Sequence, residues 1–345
     1  MVTKAIVATR PEDVVVLIPT LNEAQHIETV LGALLDDDAF ARRTRVIVAD
    51  GGSTDATRDI VGALQRRYAN VSLMHNPGQT QSHAMNLLLG PDFADARVIV
   101  RCDAHADYPR GFLSRLVATL DAHPDAASIV ISMDAVAKDE FFQTGLALIA
   151  DSKLGAGGSP HRGGAVSGFV DHGHHAAFRA EVFRTLGGYD TTFRANEDAE
   201  YDRRLTNAGH LIWLQSDIRI GYYPRSNVQR LWRQYHHYGM GRARTCFKHG
   251  VRPAVRQLIP LCHAVLLIMS LAILPFTSLG LVWPAFYLGV VATAAVSVAW
   301  ANRCWCGLVA FPALICMHTA WGLGFLSAVP IGLRMRSTEQ AATPA

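Results

Sequence analysis

Apolar and polar positions in the first hundred residues alternate in blocks whose lengths suit strands and helices in turn. Val14–Ile18 (VVVLI) is an unbroken apolar run, the pattern of a strand buried on both faces. Pro19–Glu23 breaks it, and residues 24–35 carry apolar positions at helical spacing. Arg45–Ala49 (RVIVA) predicts a second strand, ended by the polar stretch Asp50–Asp55 (DGGSTD), where Ser53 or Thr54 is placed to cap a helix reaching Tyr68. Val71–His75 predicts a third strand, followed by a turn at Asn76-Pro77-Gly78 and a helix through Leu89. Arg97–Arg101 (RVIVR) predicts a fourth, closing on Cys102-Asp103-Ala104-His105. Such alternation implies an α/β fold, a Rossmann-like and mostly parallel sheet covered by helices. Ligands bind at the carboxyl ends of strands in such sheets, and the polar clusters at 19–23, 50–55 and 103–105 all fall there.

The next hundred residues are less regular. Gly155–Gly168 (GAGGSPHRGGAVSG) reads as a mobile loop near the ligand site. Asn196–Gly209 reads as a helix opening on acidic residues, which suit the positive end of its dipole. Asn227–Arg244 mixes aromatic and basic residues at helical spacing, as an interfacial helix does. After Arg256 the next charged residue is Arg303, so residues 257–302 form a 46-residue stretch without Asp, Glu, Lys or Arg, and 304–333 add 30 more. A membrane-spanning helix needs about 20 apolar residues, so the first stretch fits two spans and the second fits one. Three regions result: a catalytic domain at 1–225, a basic amphipathic segment at 226–256 and a membrane region at 257–333.

Charge follows the same division. Residues 1–225 hold 22 basic and 28 acidic residues, whereas 226–256 hold seven basic residues and no acid. A basic segment before the first span satisfies the positive-inside rule and suits anionic membrane lipids; its other reading is a solvated basic helix. An acidic globular part argues against nucleic acid as a partner. Met1–Asp13 lacks the apolar run of a secretory signal, which leaves the globular part expected on the cytoplasmic side. Three spans would put Arg334 and Arg336 outside, against the positive-inside rule, unless one segment is re-entrant or interfacial. The six cysteines contain no CxxC pair and read as incidental cysteines of a reduced chain.

Four clusters carry candidate chemistry. Asp103 and His105, at a strand end, suit a divalent cation that neutralises a diphosphate; they could equally end the strand and cap the next helix. Glu197 and Asp198 follow Asn196 at a helix start, so either they complement the helix dipole or one acts as a general base oriented or tuned by the other. Asp171-His172-Gly173-His174-His175 lacks the ligand spacing of a closed zinc site; contacts to an acceptor or to phosphate suit His172, His174 and His175 better. Arg233, Gln234 and Arg242 lie in RQYHHYGMGR, whose arginines pair well with phosphate and whose glycines allow backbone to approach a ligand closely. Phosphate-binding GxxxxGK[ST], a GxGxxG after the first strand and a GxSxG elbow are all absent, which argues against a P-loop ATPase, a dinucleotide oxidoreductase and an α/β-hydrolase.

The pieces IPTLNEAQHIETVLGALL, ADGGSTDAT, RCDAHADYP and NEDAEYDRRL, in this order over residues 14–245, resemble the family 2 inverting glycosyltransferases of GT-A fold. DAHADYP, VDHGHHAAF and RQYHHYGMGRART are most similar to its succinoglycan-type, ExoA-like glucosyltransferase branch. The resemblance implies that Pro19, Thr20, Asn22, Glu23 and Asp50 line a uridine-nucleotide site; Arg101, Asp103 and Arg242 are further candidates for contact with the nucleotide sugar. It implies that Asp103 and His105 match the metal-binding DxD, holding Mn2+ or Mg2+, and that Asp198 is the catalytic base. The third DxD position is His105 where most of the family has Asp. By the same resemblance the donor is a UDP-sugar, the acceptor a polyprenyl-diphosphate-linked saccharide, and the location the bacterial inner membrane, multi-pass. The family's processive members carry QxxRW, whereas here Gln229-Arg230-Leu231-Trp232 precedes RQYHHYGMGR, which disfavours a polymer synthase. A non-catalytic membrane scaffold is the remaining alternative, and the intact NED and DGGSTD pieces argue against it.

Overall fold

The computed structural model describes residues 8–137, 140–156, 162 and 166–342, so part of the glycine-rich loop lies outside the described residues. The chain divides into two compact units, Met1–Asp134 with Pro160–Tyr222, and Ala135–Ser159 with Tyr223–Ala345. Residues 135–159 thus leave the expected 1–225 domain. Their helix FFQTGLALIA is apolar on most sides, and Leu146 and Ile149 pack in one cluster with Leu231, Val309 and Ala313 of the second unit.

Among the described residues, nine strands form one sheet: β1 (Val14–Thr20), β2 (Arg45–Asp50), β3 (Val71–His75), β4 (Val98–Arg101), β5 (Ala106–Asp107), β6 (Ala126–Ala135), β7 (Gly168–Val170), β8 (His174–Arg179) and β9 (Leu211–Tyr222). Their order is β3-β2-β1-β4-β8-β6-β9-β5, with β7 also paired to β9. The helices are α1 (Ile27–Leu35), α2 (Thr57–Arg67), α3 (Gln81–Asn86), α4 (Phe112–Ala122), α5 (Phe141–Ala150), α6 (Lys153–Ala156), α7 (Ala180–Thr185), α8 (Glu197–Asn207), α9 (Val228–His249), α10 (Val255–Ile273), α11 (Val282–Ala301) and α12 (Ala310–Ala342).

The α/β, Rossmann-like architecture is as expected, and the sheet itself is mixed. β1 to β4 are parallel, with Val16 beside Val46 and Val100, while β8 runs antiparallel to β4 and β6, and β5 and β7 run antiparallel to β9. Parallel neighbours need a crossover of about a dozen residues, usually with a helix, and the regular βα alternation supplies those only in the first hundred residues. The apolar run of β1 is explained by burial on both sides. Val14, Val16 and Ile18 pack with α1, α2 and α4, whereas Val15 and Leu17 pack with α3, α7 and α8. One expected cap is absent: α2 starts at Thr57 after Ala56, and Ser53 and Thr54 bond elsewhere.

In the second unit, three stretches among the described residues are long and apolar enough to cross a membrane, Val255–Ile273, Ser278–Ala301 and Trp305–Pro330. α10 and α11 leave large apolar side chains exposed, including Ile259, Met269, Phe286 and Val296, while the apolar length of α12 is mostly covered. A Cβ on Gly239 of α9 would collide with the Trp321 carbonyl of α12, and one on Gly324 with the His236 carbonyl. The glycine expected to admit a ligand at 239 therefore admits another helix instead. Cys304 and Cys306, read as incidental, are joined in a disulfide between α11 and α12.

Candidate active site

The carboxyl ends of β1 and β2 are tied together by their loops. Thr20 pairs in register with Asp50, and its hydroxyl donates to the Ile18 carbonyl at 3.0 Å. Asn22 takes a left-handed φ of 57°, which aims its N–H at the Ser53 hydroxyl (2.8 Å) while its Oδ1 accepts the Thr54 N–H (2.8 Å). The Glu23 N–H donates to the Thr57 hydroxyl at 2.8 Å. Asp50 is buried and its carboxylate accepts the N–H groups of Gly52 and Ser53. Much of the DGGSTD stretch thus shapes its own turn, and Pro19 and Thr20 sit at the strand end beneath it.

At the end of β4, Arg101 and Asp103 form a buried ion pair, Nη2 to Oδ1 at 3.2 Å. The other oxygen, Oδ2, lies 3.3 Å from His174 Nε2. The Asp103 N–H donates to the Tyr108 hydroxyl at 2.6 Å, fixing the backbone here. Burial alone would raise the Asp103 carboxyl, but Arg101, then His174 and His105, outweigh it and hold it well below the usual carboxylate range. His105 is half exposed and its Nδ1 pairs with Glu23 Oε1 at 2.8 Å. The imidazole seen against Asp103 is therefore that of His174, on the adjacent strand β8, and the expected partner His105 pairs with Glu23 of the β1 loop.

Arg101 was expected on the nucleotide sugar; it is 7% exposed and looks inward. Burial opposes its charge, yet Asp103, Tyr189, Glu197 and Asp198 together keep it firmly protonated. The turn Gly187–Gly188 brings these groups in. Both glycines have positive φ (75° and 68°), and a Cβ on Gly188 would strike Asn86, whose amide also clasps the Tyr189 backbone. α8 then opens at Glu197. Its Oε1 accepts from Gln81 Nε2 at 3.0 Å, and burial followed by repulsion from Asp198 pushes its carboxyl up to about 7. Asp198 Oδ1 accepts the Ala199 N–H at 2.7 Å. One turn later the buried Asp202 takes His172 Nδ1 at 2.6 Å.

Residues from β1, β2, β4, β8 and α8 thus gather in the first unit at the carboxyl edge of the parallel strands. Arg233, Gln234 and Arg242 lie on α9 in the second unit, where Gln234 donates to the Tyr238 hydroxyl at 2.8 Å and Arg233 is exposed. His175 lies on β8, its side chain outside the described residues. Gln81, Tyr189 and Asp202 escaped the sequence reading. Asp202 alone had a signal there, at the i+4 position after Asp198.

Among the described residues no three His, Cys, Asp or Glu side chains group closely enough to enclose a metal. Cations of the Mg2+ type, however, often take only one or two carboxylates and complete their shell with substrate phosphates and water. The ionised Asp103, with imidazoles beside it, fits that shared kind of site, and its oxygen and nitrogen donors suit Mn2+ as well.

A family model described as glycosyl transferase family 2 matches residues 15–187. The succinoglycan biosynthesis protein ExoA of Rhizobium meliloti (strain 1021) is 40% identical over 317 residues, covering 90% of this chain and 93% of that protein. A dolichyl N-acetyl-alpha-D-glucosaminyl phosphate 3-beta-D-2,3-diacetamido-2,3-dideoxy-beta-D-glucuronosyltransferase of Methanococcus voltae is 25% identical over 233 residues, covering 65% of this chain and 71% of that protein. Among solved structures, the mannosyltransferase PcManGT from Pyrobaculum calidifontis, in complex with GDP-Man and Mn2+, superposes with a TM-score of 0.53 at 23% identity, covering 94% of this chain and 88% of that one.

Proposed function

The chain belongs to glycosyl transferase family 2, and on that premise we propose that it moves a hexose, glucose by its resemblance to the succinoglycan-type branch, from a UDP-sugar to a hydroxyl of a polyprenyl-diphosphate-linked saccharide. It is a glycosyltransferase of exopolysaccharide or glycan biosynthesis. The observation that carries the mechanism is the buried Arg101, which links the ionised Asp103 to the carboxylates opening α8. A group that must stay anionic and a group that must take a proton thereby answer to the same buried guanidinium.

In this reading the nucleotide lies against Pro19, Thr20, Asn22, Glu23 and Asp50, and the diphosphate lies toward Asp103 and His105. Mn2+ or Mg2+ held there would neutralise charge on the leaving diphosphate. Asp198 takes the proton of the acceptor hydroxyl as that oxygen attacks the anomeric carbon from the face opposite UDP. The bond to the UDP oxygen breaks and the configuration inverts. Arg101 acts from behind, keeping Asp103 ionised and the α8 carboxylates in place. The basic helix α9 meets the phosphates of the lipid surface through Arg233 and Arg242. The three apolar stretches support a multi-pass membrane protein, and the basic segment 226–256 ahead of them suits a bacterial inner membrane with the first unit on its cytoplasmic side.

One observation favours a second assignment of the base: Glu197 has the carboxyl pushed up to about 7, near the pH at which a general base works best. The two are separated by Asp198→Asn and Glu197→Gln in detergent-purified protein given UDP-glucose, Mn2+ and a bacterial lipid extract. Asp198→Asn is expected to lower kcat by about 10²–10⁴ with UDP affinity unchanged. Full activity in a folded Asp198→Asn protein, with loss in Glu197→Gln, would move the base to Glu197. EDTA is expected to abolish UDP release and Mn2+ to restore it.

A further inference from the structure

The segment joining β7 to β8 is built as a bridge. His174 meets Asp103 at 3.3 Å, and two residues earlier His172 Nδ1 meets Asp202 Oδ2 at 2.6 Å. Between them Gly173 runs so close to β6 that a Cβ would lie 2.5 Å from the Val130 side chain, and its N–H points at Asp202 as well (3.4 Å). Asp202 is 1% exposed. A carboxylate so placed is costly unless it is paired and hydrogen-bonded, and the pairing here aims an imidazole. A ring held through Nδ1 turns its Nε2 edge away from the carboxylate, and the His172 side chain keeps 21% of its surface exposed. Asp202 also follows Asp198 by four residues, so the two share one face of α8 about 5–6 Å apart at Cβ.

We propose that His172, held by Asp202, contacts the acceptor saccharide, hydrogen-bonding a hydroxyl near the one that reacts. The inference rests on the glycosyltransferase reading above and divides the histidines between the two substrates. His174 serves the donor side through Asp103, and His172 serves the acceptor side beside Asp198. Asp202 is a positioning residue, acting on the acceptor through His172.

Amide isosteres test this in the full-length protein. His172→Asn keeps a donor where Nδ1 points at Asp202 and removes the Nε2 edge; His172→Gln keeps a polar group toward Nε2. UDP release from UDP-glucose is measured with and without a graded bacterial lipid extract, alongside UDP affinity and thermal unfolding. His172→Asn is expected to raise the apparent KM for the lipid acceptor about tenfold, the worth of one good hydrogen bond. UDP affinity and Tm should stay at the level of the unaltered protein, and His172→Gln should recover part of the loss. Asp202→Asn should act in the same direction, and the double variant should be no worse than the poorer single one. An unchanged acceptor KM in His172→Asn would overturn the proposal, as would a loss matched by equal falls in UDP affinity and Tm, the signature of a mere brace. Absence of UDP release by the unaltered protein is a separate outcome and would overturn the underlying reading with it.

Discussion

At Glu197, burial and the neighbouring Asp198 carboxylate act in one direction, and the carboxyl rises from an ordinary 4.5 to about 7. The folded protein then binds this proton more tightly than the unfolded chain does. Its stabilising contribution is present in full below the unfolded value and is lost as pH rises through about 7. Glu197→Gln keeps the acceptor oxygen for Gln81 and removes the titration. The variant is expected to unfold at higher temperature than the parent at pH 8, by an amount on the order of 1–2 kcal/mol after allowance for partial exposure, and to match it at pH 4. Thermal unfolding in detergent at the two pH values checks this, and an equal effect at both would show no titration in that window. Asp103 is the opposite case, since the Arg101 guanidinium overcomes its burial. Both carboxylates were legible in the motifs. Their partners were not, because Arg101 turns inward and the imidazole on Asp103 comes from β8, 71 positions along the chain from Asp103.

Among the elements, the first four strands and the helices between them were legible, because burial on two faces writes a continuous apolar run and an amphipathic helix writes its own period. The antiparallel half left a weaker trace. β5 has two residues and β7 three, too few to show a period. α9 shows how an element's neighbours change the meaning of its residues. Gly239 and Gly324 let α9 and α12 approach until each glycine faces the other helix's backbone. Small residues serve such contacts where lipid removes the ordinary hydrophobic drive between helices. Gly239→Val is therefore expected to destabilise the second unit by roughly 1–3 kcal/mol through overpacking. Its readout is a lower midpoint of thermal aggregation in detergent, while Gly289→Val, where a Cβ would meet nothing within 4 Å, should have little effect. Equal behaviour of the two variants would count against this packing.

For the whole molecule, the division of labour follows composition. The first unit carries the sheet and the residues gathered at its edge, and the second carries the apolar helices. Side chains such as Ile259, Phe286 and Trp300, at 64%, 62% and 85% exposure, are costly in water and unremarked in lipid. The protein is accordingly expected to stay with membranes through a wash in alkaline carbonate or high salt and to leave only with detergent. Release by high salt alone would mean that the basic segment, and not the apolar helices, holds it there.

The sequence by itself determined the kind of protein this is. Motif order, the alternation of apolar blocks and two long uncharged stretches are local properties, and they were sufficient for the family, the α/β sheet and the three apolar stretches. Only the tertiary structure decided which charged groups meet. Asp103 with His174 and His172 with Asp202 are contacts between segments distant along the chain, and Arg101 on β4 feels the charge of the carboxylates that open α8. No local period records such pairs, because they arise where strands and a helix converge at one edge of a sheet.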